Sequence, residues 1–150
     1  MTYFADMSPY SYARNGRNDA RAEQPDAVNV GWLGPGHEFP VGQAPAWLVP
    51  GILKLVAGGL VNLTRGYHMC HLCERPYWPP IEMEFNGREE MLGNGEIRVR
   101  GADGTLYAAP SLIAHYIAEH AYLPPDGFIE AVREAGLTSS PSSNSPAGRP

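Results

Sequence analysis

Two thiols in a tight turn limit most strongly what this chain can fold into. Cys70 and Cys73 form a C-x-x-C inside His68-Met69-Cys70-His71-Leu72-Cys73, and the chain has no other cysteine. Far downstream, His115 and His120 fall in one short helix-like segment. A C-x-x-C turn aims two thiolates at a point about 2.3 Å away, with backbone N–H groups turned toward the sulfurs, and this suits zinc. The histidines need a geometric check. Positions five apart on a regular helix point about 140° apart. That is awkward in mid-helix but workable if the second histidine lies on a loosening last turn. His120 stands just before Ala121-Tyr122-Leu123-Pro124-Pro125, where a helix must end. The expected ligands of a zinc ion are therefore Cys70, Cys73, His115 and His120.

Rival readings exist. His68 and His71 each adjoin a cysteine and could replace either helix histidine. Without metal, the four residues would be two core cysteines and two hydrogen-bonded histidines. A redox dithiol opens a helix after a strand, and Glu74-Arg75-Pro76 is a poor helix start. Haem attachment would need histidine where Glu74 stands.

Four protein ligands close a zinc shell, so the motif points to a structural ion. Three would leave room for a water, with Glu119 or Glu96 as base, in the manner of a metal-dependent hydrolase. H-E-x-x-H is absent, and so are the deaminase signature, the P-loop, G-x-G-x-x-G and G-x-S-x-G.

The net charge is −5 with a single lysine, so no basic stripe is available for a phosphate backbone. Arg65, Arg75, Arg98 and Arg100 are the residues a nucleic-acid mode would need. The longest apolar stretch, residues 47–61, is too short and too broken to span a bilayer. The first residues lack the pattern of a signal peptide. A cytoplasmic location, where thiolates stay free for metal, is expected.

Gly (17) and Pro (15) are abundant, which predicts short elements and many turns. Alternation predicts strands at 28–33, 81–85, 96–100 and 105–108, with a short one at 60–63. Asn86-Gly87 signals a hairpin turn. Helices are expected from Pro45 or Pro50 to about 57, from Pro110 to about 121, and from Asp126 to a stop at Gly136. The fold class is α+β: one small domain over residues 1–137 with a zinc knuckle, a β-hairpin and a helix in a treble-clef-like order, plus two further helices. Residues 14–27 read as a mobile insert, and residues 138–150 as a disordered Ser/Pro tail. Glu82, Glu84, Glu89 and Glu90 read as a solvated face of the hairpin. Trp32, Trp47, Trp78 and Phe39 read as core.

The strings Asn29-Val30-Gly31-Trp32-Leu33, Asn62-Leu63-Thr64-Arg65-Gly66-Tyr67-His68 with the C-x-x-C, Gly95-Glu96-Ile97-Arg98-Val99, and Tyr107-Ala108-Ala109-Pro110 through His115-Tyr116 and His120 resemble a family of small, uncharacterised bacterial proteins. The resemblance implies one compact domain and transfers no catalytic residue. Together these features predict a non-enzymatic zinc-binding protein whose partner is another protein, as in an adaptor, immunity or regulatory factor. No membrane partner is expected.

Overall fold

The segments at 96–100 and 106–110 carry the architecture. In the computed structural model, which describes residues 3–10, 27–74 and 80–139, they pair antiparallel as β4 (Glu96–Arg100) and β5 (Leu106–Pro110). A parallel strand, β1 (Ala27–Asn29), completes a sheet of order β1-β5-β4. A separate hairpin joins β2 (Glu82–Phe85) to β3 (Arg88–Met91). Asn86 (φ 53°) and Gly87 (φ 79°) both take the left-handed backbone that a two-residue hairpin turn requires. The helices are α1 (Leu48–Gly58), α2 (Ile113–His120) and α3 (Asp126–Ser139). The chain is thus α+β, with three helices and two small sheets in one domain among the described residues.

Side-chain alternation gives the main sheet two different faces. Ile97, Val99, Tyr107 and Ala109 point into the core with Leu48, Ile52 and Val56 of α1, Ile113 and Ile117 of α2, and Phe128 and Val132 of α3. Leu106 and Ala108 point the other way and pack with Tyr10, Ala27 and Trp32. Every residue of β5 is therefore buried, because a central strand covered on both faces has no polar side to show.

Residues 3–10 close the second face. Met7 N–H donates to the Asn29 carbonyl (2.7 Å), Asn29 N–H to Ser8 (2.8 Å) and Tyr10 N–H to Ala27 (2.9 Å). The Asp6 carboxylate accepts from the Tyr122 hydroxyl (2.8 Å) and the Gly31 amide (3.0 Å), tying this segment to the chain just after α2.

Several boundaries differ from the expectation. β1 stops at Asn29, because Gly31 turns the chain with φ 79°. The strand expected at 60–63 is a single bridge between Val61 and Glu96. Pro110 ends β5, and α2 begins only at Ile113. Helix α1 starts at Leu48, so Pro50 falls in its first turn, where a missing N–H costs nothing. Helix α3 runs through Gly136 to Ser139. The Ser/Pro tail lies outside the described residues from 140 onward. So do Arg75, Trp78 and the proposed insert except Ala27, which belongs to β1. Trp32 is core as expected, whereas Trp47 is 41% exposed.

Helix α2 ends on Ala121, a non-glycine residue at φ 56° whose N–H caps the Tyr116 carbonyl. Alanine is disfavoured in this conformation. Ala121→Gly should raise stability by about 0.5–1 kcal/mol, read as a higher midpoint in thermal or denaturant unfolding.

Candidate metal centre

The two halves of the centre hang from one chain of hydrogen bonds. The His68 N–H donates to the Gly93 carbonyl (2.8 Å), and the Gly93 N–H donates to the Ser111 hydroxyl (2.8 Å). Ser111 is fully buried and lies two residues before α2. The C-x-x-C loop and the histidine helix are therefore fixed against the same turn. That turn needs glycine: Gly93 has φ 111°, and a Cβ there would sit 2.4 Å from the His68 carbonyl oxygen.

On this frame Cys70 and Cys73 meet His115 and His120. The Cys70 Sγ lies 3.3 Å from the His120 Nε2, and the Cys73 Sγ lies 3.3 Å from the His115 Nε2 and 3.5 Å from the His120 Nε2. The four ligand atoms all lie within 4.8 Å of one another. Tetrahedral zinc with ordinary Zn–S and Zn–N bonds has sulfur-to-nitrogen edges of about 3.6 Å. Two separate S–H···N hydrogen bonds would satisfy the residues in pairs. Instead Cys73 approaches both imidazoles, so the atoms converge on a point.

Local structure explains the convergence. The N–H groups of Leu72 and Cys73 are turned to the Cys70 sulfur, an arrangement that stabilises a thiolate. His120 is the last residue of α2, and the backbone unwinds immediately into the left-handed Ala121. The two rings stand edge to face, 5.2 Å between centroids and 75° apart in plane. The awkward five-residue spacing is thus relieved at a helix end.

Burial pushes the Cys70 thiol up to about 11. Burial, with His120 alongside, lowers His115 below the ordinary histidine value. Burial first, and then the two thiols, raise Tyr116. A divalent cation held by two thiolates and two neutral imidazoles would leave no net charge, which a half-buried site tolerates. The residues fit such an ion.

His68 and His71 are not in the cluster, and His71 is exposed. Neither Glu119 nor Glu96 belongs to it. Glu119 is exposed, and Glu96 is 3% exposed within a different network. Arg98 is held there too, 2.9 Å from Glu96 and over the Tyr10 ring. On the hairpin, Glu82, Glu84 and Glu89 are exposed, as a solvated face should be, whereas Glu90 is half-buried. Among the described residues no helix is long and apolar enough to cross a membrane.

The Tyr10–Asn62–Glu96–Arg98 network went unforeseen in the sequence. Its one signal was the pair Glu96 and Arg98 on the same face of an alternating strand, which reads equally well as a solvated edge.

The chain belongs to the family described as Domain of unknown function (DUF7919), whose profile matches residues 2–133. No curated protein and no solved structure matches it.

Proposed function

We propose that this member of the family is a zinc-stapled, non-enzymatic domain that works by binding another protein, in the class of adaptor, immunity or regulatory factors. The convergence of four donor atoms, two sulfurs and two Nε2 nitrogens, carries the reading. Four protein ligands complete a tetrahedral shell and leave no position for a reacting water, as structural zinc requires. A hydrolytic ion would need one donor withdrawn and a carboxylate nearby, and the cluster contains neither Glu96 nor Glu119. The surface supports a protein partner over nucleic acid. Val41, Leu63 and Leu137 are 64%, 58% and 62% exposed, while the acidic chain offers no basic stripe.

Metal analysis with X-ray absorption tests this directly. The expected result is one zinc per chain with two sulfur and two nitrogen scatterers. An oxygen scatterer in place of one imidazole would favour the hydrolase instead. Mutants separate the rival histidines. A structural site is worth about 10–16 kcal/mol over four ligands, so one ligand is worth roughly a hundredfold in affinity. His115→Ala and His120→Ala should each weaken zinc binding by about that factor in a chelator competition. His68→Ala and His71→Ala should leave it within a few-fold.

A further inference from the structure

A cavity of about 120 Å³ opens between residues 3–6 and 38–40 and shares no residue with the metal cluster. Leu33 is one wall, and Tyr3, Phe4 and Phe39 add three aromatic rings. Its charged groups are the carboxylates of Asp6 and Glu38. Among the lining residues only Tyr3 carries a side-chain hydrogen-bond donor. The walls are within reach of a ligand: Tyr3, Phe4, Asp6 and Phe39 are half-buried, and Glu38 is exposed.

One buried residue positions both the charge and an aromatic wall. Tyr122, 0% exposed, donates its hydroxyl to the Asp6 Oδ2 (2.8 Å) and packs edge to face against Phe39 (6.0 Å between centroids). The Gly31 N–H fixes the Asp6 Oδ1 (3.0 Å). Both donors are neutral, and among the described residues no cationic side chain pairs with Asp6 or Glu38. Each carboxylate oxygen keeps a lone pair to offer. A half-buried negative charge beside aromatic rings, with no counter-charge of its own, favours a cation. A hard metal ion would need about six to eight oxygen ligands, and three walls here are rings. An organic cation fits better: its N–H groups suit the carboxylates and its methylenes suit the rings and Leu33. A cavity of about 150 Å³ admits benzene, so this one has room for an ammonium head on a short alkyl chain. The net charge of −5 draws such a cation in.

We propose that this cavity binds a primary alkylammonium group. The N–H donors meet Asp6 and Glu38, and the chain lies along Phe4, Phe39 and Leu33. A free small amine and a lysine side chain on a partner protein both supply that chemistry, and the test separates them. The proposal goes beyond the zinc reading and does not depend on it.

The test is nuclear magnetic resonance titration of the full-length, metal-loaded protein with butylammonium, with butanol and butyrate, and with lysine blocked at both its amino and carboxyl ends. Butylammonium should shift the Asp6, Glu38 and Phe39 amides saturably at millimolar concentration, and its own methylene protons should move upfield beside the rings. Butanol and butyrate should do neither. Blocked lysine binding as tightly as butylammonium assigns the site to a partner's lysine, and blocked lysine failing where butylammonium binds assigns it to a free amine. Asp6→Asn, which keeps the shape of the side chain and removes its charge, should weaken butylammonium about tenfold. Glu38→Gln alters only an exposed residue and should weaken it several-fold. Glu89→Gln, on the hairpin, should leave it unchanged. Butylammonium leaving these amides unmoved, or butanol or calcium matching it, overturns the proposal on the wild-type chain alone. A Glu38→Gln or folded Asp6→Asn variant with unchanged affinity, or a Glu89→Gln variant weakened as much, also overturns it. Zinc content measured on the same samples reports separately on the metal reading.

Discussion

Cys70→Ser will destabilise the fold by about 4–5 kcal/mol. Serine nearly matches cysteine in volume, so the lost packing of this buried, 1% exposed residue accounts for only about 1 kcal/mol. On the zinc reading proposed above, the missing thiolate matters far more. Structural zinc contributes about 10–16 kcal/mol of folding free energy, and a domain of this size is stable by about 5–15 kcal/mol in all. One ligand in four carries about 3–4 kcal/mol of the first term, a large share of the second. Cys73→Ser should do the same, although Cys73 is only half-buried, because the loss scales with coordination and not with burial. A strong chelator should unfold the wild-type chain, and added zinc should restore it. Circular dichroism melts would show this. If either serine variant kept the wild-type melting curve, the staple would have no place in the fold.

Gly93→Ala will cost about 3 kcal/mol or more and will loosen the metal site at the same time. Two penalties combine. The backbone at φ 111° is a region essentially reserved for glycine, worth about 1–3 kcal/mol to any other residue. The new Cβ would also meet backbone, the His68 carbonyl oxygen at 2.4 Å and the His68 nitrogen at 3.2 Å, and not the yielding end of a side chain. The loop must move, and with it go the His68–Gly93 bond and the approach of Cys70 to α2. Denaturant unfolding should show the loss of stability, and chelator competition should show weaker zinc. Wild-type zinc affinity in a destabilised variant would mean that the Gly93 contact does not position the knuckle. Gly58→Ala is the control, since that Cβ would meet nothing within 4 Å and alanine favours a helix.

The Cys70, Cys73, His115 and His120 cluster was legible in the sequence because its signal is local twice over. The C-x-x-C turn fixes two sulfurs within four residues. The histidine pair sits against a proline-enforced helix end, which relieves its poor angular spacing. The strands and hairpins at 82–110 were legible for a similar reason: alternation and Asn-Gly or Asp-Gly turns are short-range. The errors came where burial was two-sided or the chain merely passed by. β5 lacks alternation because both its faces are covered, so Pro110 read as a helix start. Segment 60–63 looked like a strand yet makes one bridge, because Asn62 turns left-handed to reach Glu96 and Tyr10.

The sequence by itself determined which side chains can grip a cation, the α+β class and the helical periods, since each depends on spacing within a few residues. The sequence favoured His115 and His120 but left His68 and His71 as rivals, and tertiary structure decided which pair stands opposite the thiols. It also decided that Glu96 and Arg98 face each other under Tyr10 instead of lying in water. Those outcomes depend on contacts between segments far apart in the chain, such as the Gly93–Ser111 bond and the docking of residues 3–10 on β1, and no local pattern encodes such distances.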